Sequence, residues 1–165
     1  MEKPTLYVET TVLSYLAACP SRDIIVQAHQ QITWDWWESE RENYELYISE
    51  IVLQEIVEGD PIAAQRRESF MGNLVILDMS DAVRNLAREL EKFLNLPKRA
   101  ELDALHLSFA IEYEINYLLT WNCSHLANGL IISRLKEFEL KTSRVTPVIV
   151  TPEELISGGE ENEMG

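Results

Sequence analysis

Three carboxylates occupy positions in this sequence where an unpaired charge is costly. Glu9 directly follows the apolar run at residues 5–8, and Glu55 falls on the apolar face of the helix predicted for residues 51–58. The helix predicted around Asp103 is apolar nearly all round, so its carboxylate should be largely buried. A hard divalent cation such as Mg²⁺ or Mn²⁺ takes oxygen ligands and would relieve the repulsion. The chemistry that these residue types indicate is metal-assisted hydrolysis.

Asn122 adds a fourth oxygen ligand to this set. It follows the predicted strand at residues 117–120 in the way that Glu9 follows the first strand. Parallel sheets bind ligands beyond the carboxyl ends of their strands, so both side chains are expected at one rim. Taken alone, Asn122 is more often a turn residue than a ligand.

Each of the three acids also has an explanation that needs no metal. Glu9 and Asp103 can simply favour the positive ends of helices that begin beside them. Glu55 can pair with an arginine, for which Arg66 and Arg67 are the nearest candidates along the chain. The metal site is therefore inferred from the joint placement of the acids and not from any one of them.

The elements that must position these residues follow from the apolar periodicity. Short β-branched runs alternate with longer helical patterns, which predicts an α/β fold with a mainly parallel sheet covered on both faces. Strands are predicted at residues 5–8, 45–48, 74–77, 117–120 and 148–150. The helices between them are predicted from Thr10 or Thr11 through Leu16, at 24–42, at 51–58, after Pro61, from Ser80 or Asp81 to 94, at 102–115 and at 126–140. A capping box at Thr151 to Glu154 predicts a short final helix.

Length and charge bound the remaining possibilities. The 165 residues are enough for one domain with its own core, which we place at residues 1–157, followed by an acidic flexible tail at 158–165. Acidic residues outnumber basic ones 28 to 14, and the formal net charge of −14 opposes binding of a polyphosphate unless cations or a basic partner intervene. The nucleotide-binding signatures GxGxxG and GxxxxGK[ST] do not occur.

No apolar stretch is long enough to cross a bilayer, and no export signal is visible. Cys19 and Cys123 are far apart and form no CxxC pair, which speaks against a disulfide framework or a thiolate zinc site. We therefore expect a cytoplasmic protein that has no membrane partner.

Taken in order, these segments resemble PIN-domain ribonucleases, in particular the VapC-like toxins of bacterial type II toxin–antitoxin systems. The resemblance covers nearly the whole chain. The pieces that carry it are a strand ending in an acid and two hydroxyl residues (Tyr7-Val8-Glu9-Thr10-Thr11), a strand end followed by a helical acid (Ile48-Ser49 and Glu55), a third acidic segment (Leu102-Asp103-Ala104-Leu105-His106) and a fourth strand (Tyr117-Leu118-Leu119-Thr120-Trp121-Asn122).

The resemblance implies a three-layer α/β/α fold around a parallel sheet of about five strands. It also implies an endoribonuclease that hydrolyses RNA phosphodiester bonds with one or two Mg²⁺ or Mn²⁺ ions, pairs with a small antitoxin and forms a homodimer. The implied metal ligands are Glu9, Glu55 and Asp103, with Asn122 in the fourth catalytic position and the hydroxyls of Thr11 and Thr120 supporting them.

Two positions depart from the commonest PIN pattern. The first acid is Glu9 where Asp is usual, and the fourth position is Asn122, which keeps a carbonyl ligand and drops one negative charge. These changes leave open an alternative, a catalytically weakened PIN-like protein that acts as a binding or regulatory module. His106 reads as a satisfied core histidine, and His125 can line the cleft or lie on the surface.

Overall fold

The structure is a computed structural model that describes residues 2–156. The predicted tail at 158–165 lies outside the described residues. All five strands pair in parallel in the order β3-β2-β1-β4-β5, which confirms the predicted parallel sheet and the α/β class. The strands are β1 Thr5–Val8, β2 Glu45–Ser49, β3 Val75–Leu77, β4 Tyr117–Leu119 and β5 Val148–Val150.

Helices connect the strands in each crossover and cover the sheet as a three-layer α/β/α arrangement. They are α1 Thr10–Ala17, α2 Ile24–Glu40, α3 Glu50–Val57, α4 Pro61–Glu68, α5 Asp81–Phe93, α6 Glu101–Glu112 and α7 Gly129–Thr142. Three 3₁₀ turns complete the described elements, at Arg41–Asn43, Lys98–Ala100 and Pro152–Leu155. Helix α1 packs against α2, α3 and α4, and α5 packs against α6.

Side-chain caps explain most of the helix boundaries. Ser49 and Ser80 accept hydrogen bonds from the third residue of α3 and α5, and Thr151 forms the predicted capping box with Glu154. The cap of α1 was predicted wrongly: Glu9, and not Thr10 or Thr11, accepts the backbone N–H of Thr11.

Two predicted helices are shorter than expected. The helix predicted at 126–140 begins only at Gly129, because Asn128 caps it and residues 123–127 form turns. The helix predicted at 102–115 ends at Glu112, since Glu114 adopts a left-handed φ of 54° that an α-helix does not tolerate.

Strand order places the acidic residues at one edge. From β1 the chain moves outward to β2 and β3, then crosses back to add β4 and β5 on the other side of β1. The carboxyl ends of β1 and β4 therefore flank a topological switch point, the usual ligand site of a doubly wound sheet. The helices that lead into a parallel strand begin at this same edge, which brings the first turn of α6 next to it.

The core fills both faces of the sheet and fixes this arrangement. Apolar residues of β1 and β4 are buried completely, and each such side chain contributes about 1.5–3 kcal/mol relative to exposure. Of the tryptophans of α2, Trp36 is fully buried, Trp37 is 8% exposed and Trp34 is 37% exposed. Among residues 2–156, no helix combines the length and apolar character needed to span a membrane.

Candidate active site

The side chains of Glu9, Glu55, Asp103 and Asn122 gather at the carboxyl edge of the sheet. Glu9 is the residue after β1, and Asn122 is the third residue after β4. Glu55 lies in α3, which begins directly after β2, and Asp103 lies in the first turn of α6. The four residues therefore come from four separate segments that parallel pairing places side by side.

Glu9 is the most deeply buried of the acids, with 3% of its surface exposed. Its Oε2 accepts hydrogen bonds from the Thr11 N–H at 2.8 Å, the Thr11 hydroxyl and the Thr120 hydroxyl at 3.1 Å. Its Oε1 accepts no hydrogen bond within the described part of the chain. One oxygen is thus fixed in place while the other is left for a ligand.

Glu55 is held by a histidine and a threonine. Its Oε1 lies 2.6 Å from Nε2 of His106 and accepts the Thr10 hydroxyl at 3.0 Å. Arg66 and Arg67 do not reach it: the Arg67 guanidinium donates to backbone carbonyls of Ile56 and Glu58, and Arg66 contacts Cys19. The arginine pairing considered from the sequence is therefore wrong.

His106 links this carboxylate to the centre of the sheet. Its ring is 1% exposed, and its Nδ1 lies 2.7 Å from the Tyr7 hydroxyl, which lies 2.7 Å from the Ser49 hydroxyl. If the ring is neutral with hydrogen on Nε2, Tyr7 donates to Nδ1 and Ser49 donates to Tyr7. If the ring is an imidazolium, both donations reverse. The buried chain satisfies His106 in either protonation state.

Asp103 is held by residues of the β4–α7 connection. Its Oδ1 accepts the Asn122 side-chain amide at 2.9 Å, and its Oδ2 lies 3.1 Å from Nδ1 of His125. Asn122 in turn accepts the backbone N–H groups of Ser124 and His125 through its own oxygen. The Asn122 oxygen therefore orders the turn, and its amide nitrogen positions the carboxylate.

Burial controls the titration of two of the acids. It raises the pKa of Glu9 above its ordinary value, and the charge of His106 and the bonds from Thr11 offset this only in part. Burial likewise raises the pKa of Asp103 against the opposing charges of His106 and His125. The charge of Glu55 adds to both shifts, so Glu55 repels Glu9 and Asp103.

The pKa values of Glu55 and His106 shift in the directions expected of an ion pair. Burial alone would raise the pKa of Glu55, but the hydrogen bond and charge of His106 outweigh it and the pKa is lowered. Burial alone would lower the pKa of His106, but Glu55, Glu9 and Asp103 outweigh it and the pKa is raised. Each partner therefore stabilises the charged form of the other.

The donor set suits a hard divalent cation in its chemistry. Three carboxylates act on one another, Glu9 Oε1 and Glu55 Oε2 accept no hydrogen bond from described residues, and no Lys or Arg in residues 2–156 forms an ion pair with any of the three. The side chains are not assembled around one point, however, since no group of three His, Cys, Asp or Glu in the described chain could hold a metal as placed. Metal binding would compete with the bonds of His106 and His125.

The sequence named six residues of this site and missed others. The structure places the hydroxyls of Thr11 and Thr120 against Glu9 and the side-chain amide of Asn122 against Asp103, while the catalytic and metal-binding roles that the resemblance implies stay predictions. It also adds Tyr7, Thr10 and Ser49, which were not predicted to take part, and it places His125, predicted either to line the cleft or to lie on the surface, against Asp103. His106 is the buried, satisfied histidine that was predicted, and it also contacts Glu55. The sequence signal that could have pointed to His106 as a partner of the acids is its position three residues after Asp103, among apolar residues of the same helix.

Comparison with solved structures places the fold. VapC20 from Mycobacterium tuberculosis, a sarcin–ricin loop cleaving toxin, superimposes with a TM-score of 0.58 at 13% identity, covering 73% of this chain and 92% of that chain. VapBC2 from Rickettsia felis, bound to a DNA fragment from its promoter, gives 0.56 at 19% identity, covering 89% and 98%. A toxin–antitoxin complex from Klebsiella pneumoniae gives 0.55 at 19% identity, covering 90% and 97%.

The chain has the PIN-like fold of VapC toxins. The resemblance read from the sequence is therefore confirmed for the fold. No protein-family model and no curated protein matches the chain by sequence. At these identities the likeness concerns the architecture, so the activity must be argued from the residues of the PIN-like cleft itself.

Proposed function

We propose that this protein is a Mg²⁺- or Mn²⁺-dependent endoribonuclease that hydrolyses RNA phosphodiester bonds in the cytoplasm. The observation that carries the proposal is the gathering of Glu9, Glu55 and Asp103 from three distant segments at the switch point of a PIN-like sheet. Structural carboxylates are usually neutralised by Lys or Arg, whereas these three face one another and two histidines. Such arrangements of perturbed acids are typical of functional sites.

The residues of the cleft have distinct proposed roles. Glu9, Glu55 and Asp103 would hold the cation, which lowers the pKa of water and stabilises charge on phosphate oxygens when it is bound. Thr11 and Thr120 fix one oxygen of Glu9, and its other oxygen, which accepts no hydrogen bond from the described residues, would bind the cation. Asn122 fixes one oxygen of Asp103 and adds no charge. The carboxylates bind and orient, which is where most of the rate of phosphodiester hydrolysis originates.

The proposal extends to a toxin that pairs with a small antitoxin and forms a homodimer. Its support is the fold shared with a sarcin–ricin loop cleaving toxin and with a toxin–antitoxin complex. The net charge of −14 also favours a basic protein partner. We expect expression of the wild-type chain to arrest growth and Asp103→Asn to be tolerated. Light scattering of the purified chain tests the homodimer, and a monomeric mass at all concentrations would exclude it.

The central experiment measures cleavage of total RNA by the purified chain with Mg²⁺, with Mn²⁺ and with EDTA. We expect cleavage with either metal, none in EDTA, and loss of at least about 100-fold in Asp103→Asn, more than removal of an outer-shell partner costs. The substitution keeps the shape of the side chain and removes its charge. Thermal unfolding confirms that the variant is folded.

Asp81→Asn is the matched control for this substitution. Asp81 also lies in the first turn of a helix, but its side chain is 96% exposed and far along the chain from the cleft. It should leave cleavage unchanged. Cleavage that survives in Asp103→Asn would remove the assignment, because the metal-holding role of this carboxylate is its foundation.

Two observations favour a second candidate function. The acids of the site do not surround one point among the described residues, and Asn122 brings no negative charge to the fourth position. The acids of the described chain already have histidine and hydroxyl partners, and no three of them surround one point. A catalytically weakened PIN-like protein that acts as a binding or regulatory module would show no cleavage and little metal affinity. Calorimetric titration with Mn²⁺ separates the two: binding at millimolar concentration or tighter that is lost in Glu55→Gln supports the nuclease.

A further inference from the structure

A group of three aromatic rings lies beside the acidic cleft, and we call Tyr15, His29 and Trp121 the aromatic shelf. The His29 imidazole stacks on the Trp121 indole, with centroids 4.1 Å apart and planes inclined by 13°. The Tyr15 ring lies 6.1 Å from the same indole at 39°. The indole N–H donates to the Thr33 hydroxyl at 2.7 Å. Trp121 is thus a fixed and buried base on which the other two rings rest.

The shelf is joined directly to the carboxylates. The backbone N–H of Trp121 donates to the Thr11 hydroxyl, which itself donates to Glu9. Tyr15 follows Thr11 by one turn of α1 and therefore lies on the same side of that helix. Trp121 is also the residue before Asn122, the partner of Asp103. The shelf therefore adjoins residues that form hydrogen bonds with Glu9 and Asp103.

Two rings of the shelf are available to a ligand. Trp121 is 8% exposed, whereas Tyr15 and His29 are each half-buried. Neither the Tyr15 hydroxyl nor the ring nitrogens of His29 form a hydrogen bond with any described residue. Burial, with Cys123, Asp23 and Glu9 nearby, raises the pKa of the Tyr15 hydroxyl, so it is a neutral donor at physiological pH. One face of the His29 ring is covered by Trp121, and both Tyr15 and His29 keep part of their surface exposed.

The charges around the shelf select the part of a nucleic acid that can bind there. The groups that act on Tyr15 are acidic, and the whole chain carries −14. Phosphates are repelled by such surroundings, and proteins that bind RNA through phosphates do so with Lys and Arg. Bases are uncharged, and stacking on aromatic rings supplies about 1–3 kcal/mol per base without counterion release. The shelf is therefore suited to an unpaired base.

We propose that Tyr15 and His29 form a stacking subsite for an unpaired nucleobase of RNA, next to the phosphodiester held at the acidic cleft. The inference rests on the proposed ribonuclease function and assigns two residues that would position its substrate: a base next to the scissile bond would lie unpaired against Tyr15 and His29. Double-stranded RNA cannot present a base face, because its bases are stacked on one another. Its cleavage should be at least about tenfold slower.

Binding is tested with a fluorescein-labelled single-stranded RNA of eight nucleotides, measured by anisotropy in Mg²⁺ on the cleavage-deficient Asp103→Asn background. We expect Tyr15→Leu to weaken binding by roughly 5- to 100-fold and His29→Leu to act in the same direction. Tyr15→Phe keeps the ring and should remain within about twofold. Tyr44→Leu is the matched control, since Tyr44 is also a half-buried tyrosine against a tryptophan, at the opposite edge of the sheet.

The contribution of the base is isolated with an RNA whose nucleotides carry no bases. If Tyr15 stacks on a base, the protein that keeps Tyr15 should bind the abasic RNA about as weakly as Tyr15→Leu binds intact RNA. The Tyr15→Leu variant should bind the intact and the abasic RNA with the same affinity. Equal losses for intact and abasic RNA would mean that the ring contacts the backbone or acts structurally, and would overturn the subsite. The log–log dependence of binding on salt should be no steeper than about −1.4, which corresponds to two phosphates.

A fluorescent base in the RNA reports stacking directly on the protein that keeps Tyr15 and His29, so this test does not depend on whether a variant folds. 2-Aminopurine placed at the cleavage position should be quenched when the chain with its natural shelf binds it, and an increase in its fluorescence contradicts stacking. The two proposals can fail separately. RNA cleavage that is unaffected by Tyr15→Leu sinks the subsite and keeps the ribonuclease, whereas Tyr15-dependent binding without any cleavage keeps the subsite and sinks the ribonuclease.

Discussion

The two edges of the sheet differ: a pocket lies at the amino edge, and the acidic residues of the candidate site lie at the carboxyl edge. At the amino edge, where β2 and β3 begin, lies a pocket of about 530 Å³ whose lining includes Trp37, Tyr44 and Phe70. Its charged side chains, such as Arg41 and Glu45, reach solvent. The carboxyl edge holds Glu9, which is buried, and Glu55 and Asp103, which are half-buried.

The comparison teaches that concavity alone does not locate a reactive site. An exposed charge at the rim of a pocket costs little and needs no explanation. A carboxylate such as Glu9, with 3% exposure and a raised pKa, persists against a cost in folding free energy. We therefore place function at the carboxyl edge, and the following substitutions compare the two edges directly.

The largest difference should appear between Glu9→Gln and Glu45→Gln. Both remove one charge without changing side-chain volume, the first at the carboxyl edge and the second at the amino edge. We expect RNA cleavage to fall at least about 100-fold in Glu9→Gln, because a cation ligand loses its charge, and to change less than twofold in Glu45→Gln. Steady-state cleavage rates of the two variants measure this difference. Equal activity of the two variants would break the distinction between the edges.

A tyrosine pair compares the edges through stability. The Tyr7 hydroxyl is buried between Ser49 and His106, whereas the Tyr44 hydroxyl forms no hydrogen bond within residues 2–156. Tyr7→Phe should lower the free energy of unfolding by about 1–3 kcal/mol because it leaves buried partners unsatisfied. Tyr44→Phe should change it by less than about 0.5 kcal/mol. Urea unfolding measures both, and a Tyr7→Phe loss no larger than that of the control would show that the buried chain contributes nothing.

Acidity provides a third comparison, of metal affinity across pH. The pKa values of Glu9 and Asp103 are raised, so at low pH these groups hold protons that a cation must displace. As pH rises towards the raised values the carboxylates ionise, and below those values Mn²⁺ affinity should increase by about tenfold per pH unit for each proton that the cation displaces. Calorimetry at several pH values measures this rise. In Glu9→Gln the slope should be smaller, and an affinity independent of pH would contradict the burial of these acids.

The sequence was a good guide to the architecture for reasons visible in particular segments. The apolar runs at β1 and β5 have sharp polar or proline boundaries, and both strands were predicted with their observed limits. Ser80 marked the start of α5 because serine is a favoured N-cap whose hydroxyl accepts a backbone N–H of the first turn. Parallel pairing then followed from the alternation of strands and helices, and it determined which residues share an edge.

The interior of the site could not be read in the same way. A periodic pattern shows that His106 is buried, but it does not show that Tyr7 and Glu55 meet it, because those contacts join residues 99 and 51 positions apart. Asn122 and Glu9 were placed correctly at the rim because strand ends are local features. Their actual partners depend on side-chain directions across three strands, and these exist only in the folded chain.

The smallest expected effect concerns Arg41 at the amino edge. Its guanidinium lies 5.3 Å from the Trp37 ring centroid and donates to the Trp37 carbonyl at 3.0 Å, so Arg41→Ala should lower the free energy of unfolding by about 0.5–1 kcal/mol. RNA cleavage should stay within about twofold, since no contact in residues 2–156 links this side chain to the acids. Urea unfolding and cleavage rates on the same sample test both statements. A tenfold loss of cleavage in a stably folded Arg41→Ala would mean that the RNA reaches around to the amino edge, and the pocket would then belong to the substrate path after all.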